Sequence, residues 1–100
     1  MRTPSSLRKK GVKETLQQFV ERVTQIPQVE AVLLVQGDEG WEVKVVISEP
    51  DLAVVDAIAE LEGTFIDQHG ELPFLSDVVF LQRRSLDRIL SPQTRILFKR

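Results

Sequence analysis

Residues 29–48 constrain this chain more than any other stretch, because they read as two alternating strands joined by a short turn. Successive side chains on a strand point to opposite faces, so a two-residue period separates a buried row from a wet one. In the second half, Trp41, Val43, Val45 and Ile47 share one parity, and Glu42, Lys44, Val46 and Ser48 the other. In the first half, Val29, Ala31, Leu33 and Val35 alternate with Glu30, Val32, Leu34 and Gln36. Between them lies a five-residue turn, GDEGW, in which Gly37 and Gly40 bracket Asp38 and Glu39. Glycines there take the positive φ that short hairpin loops require. A hairpin with one buried face needs something apolar laid against it.

The flanking segments supply that. Val12, Leu16, Phe19, Val20 and Val23 form a helical stripe that Pro27 closes. After the hairpin, Ser48 and Asp51 have the spacing of a capping box, with Pro50 in the first turn. A second stripe follows: Leu52, Val55, Ile58, Ala59, Phe65 and Ile66, widened by Val54 and Leu61. Gly63 lies inside this helix and implies either close packing on the sheet or a kink, whereas Gly70 is placed to end it. Residues 74–81 predict a third strand, apolar on both parities except at Ser76 and Asp77, and hence a central or well-covered one. Residues 85–90 predict a short helix and Thr94 to Phe98 a last edge strand.

The fold expected is an α+β two-layer sandwich in the order α-β-β-α-β-(short α)-(β). Its sheet of three or four strands is mainly antiparallel, in the order 2-1-3, with both long helices on one face. Residues 1–10 are expected to be a flexible basic arm and residues 11–100 a single domain. One hundred residues can bury roughly 60–70% of their unfolded surface without staples. The 42% apolar content and mean hydropathy of -0.08 are those of an ordinary soluble globule. The chain has no cysteine, which excludes disulfides and thiolate metal sites. It has no apolar run of membrane-spanning length and no signal-peptide core. A cytoplasmic protein without a membrane partner is the expectation.

Charge is unevenly placed. Arg22 and Lys44 are the only cations between residues 14 and 82, a span that holds every acidic residue except Asp87. Arg83, Arg84 and Arg88, with Arg8 to Lys10, therefore form a candidate phosphate or nucleic-acid contact. The pI of about 5.4 and the absence of RNP, GXXG and helix-turn-helix signatures disfavour nucleic acid as the partner.

Catalytic motifs are missing: there is no Walker loop, no G-x-G-x-x-G, no G-x-S-x-G and no H-E-x-x-H. His69, the single histidine, ends the long helix, where an imidazole interacts well with the helix dipole. Asp77, among apolar strand residues, is the candidate functional carboxylate, pointing with Val79 and Leu81 to the face away from the helices.

The segment SDVVFLQRRSLDRILSPQTRILFKR resembles the C-terminal part of minimal nucleotidyltransferase domains. In that family an Asp-bearing strand precedes a short helix and a final apolar-basic strand. The resemblance implies that Asp77 matches the family's third, more variable carboxylate. Where the family carries a phosphate-gripping Gly-Ser, this chain has Gln36-Gly37-Asp38-Glu39. Where it carries two metal-binding carboxylates, this chain has Val43-Lys44-Val45-Val46. In-line displacement on two metals needs those ligands. The resemblance thus implies a degenerate, non-catalytic relative, with no metal and no cofactor.

Val32, Leu34 and Val46, with Val79 and Leu81, are expected to form an apolar patch on the sheet face opposite the helices. Monomers seldom leave such a patch wet, so the C-terminal segment, a second copy or another protein should cover it. A non-enzymatic interaction domain is the function expected, with a nucleotide- or RNA-binding accessory domain as the alternative.

Overall fold

The computed structural model of the chain describes residues 5–37, 40–70 and 73–100, and side chains from residue 13 onward. The order is α1 (Ser5–Val23), β1 (Val29–Gly37), β2 (Gly40–Ile47), α2 (Leu52–His69), β3 (Leu75–Phe80), a 3-10 turn η1 (Leu86–Ile89) and β4 (Thr94–Lys99). It is an α+β fold with two long helices on a four-stranded mixed sheet. Helix α1 starts at Ser5, so it takes over most of the segment read as an arm. The hairpin tip Asp38-Glu39 and the Val12 side chain lie outside the described residues. Gly37 pairs with Gly40, so the strands run closer to the tip than a five-residue turn would allow. Gly40 has φ of +130°, a conformation that a Cβ would strain.

The strand order is β3-β2-β1-β4, with β3 parallel to β2 and the other two pairs antiparallel. This corrects the 2-1-3 order. The direction expected of β3 was the observed one, since a strand antiparallel to β1 is parallel to β2. Only its slot differs. Helix α2 returns the chain to the nearer edge, beside β2, and leaves the far edge of β1 to β4. Strand β3 is consequently an edge strand rather than a central one.

A second correction concerns facing. Val29 pairs with Ile47, yet Ala31 pairs with Val46, so Glu30 is an extra residue on β1. A bulge of this kind shifts the parity of everything beyond it. Val32 and Leu34 therefore join Val43, Val45 and Ile47 on the helix side. They are 0% and 6% exposed, part of the main core with Phe19, Val23, Ile58, Phe65 and Phe74. Phe19 anchors that core, lying edge-on to Phe65 at 5.7 Å and against Phe74 at 5.4 Å between ring centroids.

The caps fix how the helices roll. Asp51, not Ser48, caps α2: its carboxylate accepts from the N–H groups of Ala53 (3.0 Å) and Val54 (3.4 Å). Ser48 instead donates its hydroxyl to Glu30. Val54, Ile58, Leu61 and Phe65 form the inward stripe, while Leu52 and Ile66 stand exposed. Gly70 ends α2 at φ 85°, its N–H donating to the Ile66 carbonyl at 2.7 Å. At the opposite end, Arg100 ties β4 to the α1–β1 connection by donating to the carbonyls of Val29, Thr24 and Ile26. Its guanidinium also sits 5.2 Å from the Phe98 ring centroid.

Candidate functional site

The second sheet face holds three of the five residues expected there. Val46, Val79 and Leu81 face away from the helices with Ala31 and Leu33; Val32 and Leu34 do not. That face is not bare. The chain from Leu81 to Gln93 crosses it as a strap between the two edge strands, and Leu86, Ile89 and Leu90 pack on Ala31, Leu33 and Val46. Three apolar residues, spaced i, i+3 and i+4, suffice to cover the middle of a four-stranded sheet. Ala31, Leu33 and Val46 are completely buried as a result. What stays open lies at the edges: Leu75 on β3 is 66% exposed and Ile96 on β4 is 44% exposed.

Asp77 points to this second face, paired in register with Lys44, as strand parity required. Its carboxylate accepts from the Val78 N–H at 2.9 Å. The Leu81 N–H donates inward to Ile47, so by alternation the peptide groups of Val78 and Phe80 face away from β2, along the free edge. Asp77 therefore covers an edge donor. The matching edge acceptor, the Phe80 carbonyl, takes a hydrogen bond from Arg84 at 2.7 Å, and Arg84 Nε donates to the Leu81 carbonyl at 2.9 Å. One carboxylate and one guanidinium thus cover two outward groups of the β3 edge, which discourages stray strand pairing there.

The arginine cluster divides accordingly. Arg84 is held by the carbonyls of Phe80 and Leu81, while Arg83 and Arg88 are exposed at separate points of the strap itself. Gln82 and Arg83 form the centre of a tight turn at φ 51° and 74°, unusual for residues with a Cβ. The Arg84 N–H donates to the Leu81 carbonyl, which closes that turn. The side chains of Arg8 to Lys10 lie outside the described residues. His69 is exposed and leans on Phe65, ring centroids 5.8 Å apart. Among the described residues, no three His, Cys, Asp or Glu side chains gather as a metal cluster, and no helix is long and apolar enough to cross a membrane.

A site that sequence reasoning missed lies at the hairpin end of the sheet. An open cleft of about 570 Å³ is lined by Leu34, Gln36, Trp41, Pro92, Gln93, Thr94 and Arg95, with Gly37 at its rim. Trp41 has the parity of the core row, but it sits beyond the last buried pair, Leu34 and Val43, and is 40% exposed. Its neighbour Gly40, at the turn, was the signal that the indole stands at the mouth of the core rather than within it. Strand pairing sets Trp41 opposite Gln36, and Arg95 opposite Leu34. The far wall is the turn Ser91-Pro92-Gln93-Thr94, held by the Thr94 N–H on the Ser91 carbonyl (3.0 Å) and by the paired hydroxyls (2.9 Å). Proline in the second turn position fixes φ, so this wall is rigid before any ligand arrives.

No protein-family model matches the chain, no curated protein resembles it significantly in sequence, and no solved structure matches its fold significantly.

Proposed function

We propose that this chain is a small non-catalytic interaction domain whose partner adds a strand along β4, the simplest partner being a second copy. The observation that carries this reading is the contrast between the two sheet edges. Asp77 and Arg84 cap two of the outward groups of β3, the Val78 N–H and the Phe80 carbonyl. Along Arg95 to Lys99, no side chain among the described residues bonds the outward backbone. An open edge strand recruits another strand through its free N–H and C=O groups. Exposed Ile96 offers an apolar contact beside those groups. The bulge that skips Leu97 in the β1–β4 register, together with Arg95 and Lys99, disfavours indiscriminate pairing and so favours a specific partner.

The apolar sheet face contributes less than its sequence promised, because the strap occupies it. The arginine rim as a phosphate contact loses Arg84 to the β3 edge. Light scattering across a concentration series tests the strand-pairing reading, with a species of twice 11.4 kDa expected. Ile96→Lys, on an exposed side chain, should return that species to monomer with an unchanged circular dichroism spectrum. A protein that is monomeric throughout refutes self-pairing.

A further inference from the structure

The cleft at the hairpin end joins Trp41, Gln36 and Gln93, which neither the core nor the β4 edge requires, to Arg95. Trp41 is the chain's only tryptophan, and it is left 40% exposed over a concave surface. Leaving an indole face in water forfeits the burial that the same ring would gain as core. Around it stand two amides, Gln36 and Gln93, and the guanidinium of Arg95. Arg84 and Arg100 are taken up by backbone carbonyls; among the described residues, Arg95 has no such acceptor. We propose that this cleft is a nucleobase-binding site, in which a purine stacks on Trp41 and Gln36, Gln93 and Arg95 read its edge.

The chemistry favours a base over other planar ligands. An aromatic side chain accepts the π-face of any base. A guanidinium matches guanine O6 and N7 with two parallel hydrogen bonds, and a glutamine amide matches adenine N6 and N7. The cleft, about 570 Å³, is in the range of small-ligand pockets and has room for a base with its sugar. The ordered Ser91–Thr94 turn keeps Pro92 and Gln93 in place, so little ordering opposes binding. The same base could arrive as a free nucleotide or as one residue of a single strand.

Because Trp41 is the sole tryptophan and the chain has no tyrosine, its fluorescence reports this site alone. The full chain is titrated with GMP, CMP, ribose 5-phosphate and a guanine-containing heptaribonucleotide, exciting at the red edge of the indole band. Saturable quenching by GMP, weaker for CMP and absent for ribose 5-phosphate, is expected. Arg95→Gln should weaken GMP binding about tenfold, in line with the loss of one bidentate contact. Trp41→Leu, followed by calorimetry, should abolish binding. Both residues are exposed, and an unchanged melting temperature confirms that each variant is folded. An oligonucleotide that binds more tightly than GMP identifies single-stranded nucleic acid as the source; equal affinity identifies the free nucleotide. Quenching that is linear in GMP and equal to that of free N-acetyltryptophanamide overturns the proposal. So does an Arg95→Gln variant that binds GMP as well as the parent.

Discussion

Gly63→Ala should stabilise this protein. Gly63 is in the interior of α2, where glycine costs about 1 kcal/mol relative to alanine through backbone entropy. The sequence offers a reason for that cost, a close approach of helix to sheet, but the structure removes it. A Cβ built at Gly63 meets nothing within 4 Å, and its φ is not in the left-handed region. Nothing offsets the entropic gain, so the full ~0.5–1 kcal/mol is expected. For a domain of this size, that raises the melting temperature by about 2–8 °C. Thermal melts and urea titrations followed by circular dichroism measure both quantities, with an unchanged urea m-value as the check on two-state unfolding. Gly40→Ala is the internal control of opposite sign. Its φ of +130° strains any side chain, and a loss of about 1–3 kcal/mol is expected although the space there is open. A Gly63→Ala variant that is no more stable than the parent refutes the reasoning, because it would mean that α2 does approach a surface at that point.

Three further expectations test the packing. Val32→Lys should cost ~4 kcal/mol or more and unfold much of the population at room temperature, since Val32 is fully buried under the helices; retention of the native spectrum would restore it to the open face. Arg100→Ala should lower the unfolding free energy, read from urea titration, by about 1–2 kcal/mol, as it deletes the donors to three carbonyls that join β4 to the α1–β1 connection; no change would mean that water replaces them fully. Ser76→Ala should leave stability unchanged or raise it by up to about 1 kcal/mol, because the Ser76 hydroxyl is buried without a partner; a measurable loss would reveal a hidden acceptor.

Much of the site's background was legible in the residues because it is local. Asp77 reads as an isolated carboxylate among apolar neighbours, and parity alone assigns its face. That its partner is the next residue's N–H, and that Arg84 answers it on the adjacent carbonyl, depends on which edge β3 occupies. Trp41 illustrates the same limit. Its parity is visible, but its exposure depends on how far the helices reach along the sheet.

The sequence by itself determined the elements, their order and some of their ends. Two-residue and 3.6-residue periods, Pro27, Asp51, Gly40 and Gly70 act over a few residues, and each carries its own steric or hydrogen-bonding cause. Tertiary structure alone decided three things: the slot of β3 beside β2, the bulge at Glu30, and the strap over the second face. Each depends on contacts between residues far apart in the chain. The bulge shows why that matters most. A period of two carries no memory of an inserted residue, so one extra position on β1 moved Val32 and Leu34 from the face they were expected to share with Val46 into the core beneath the helices.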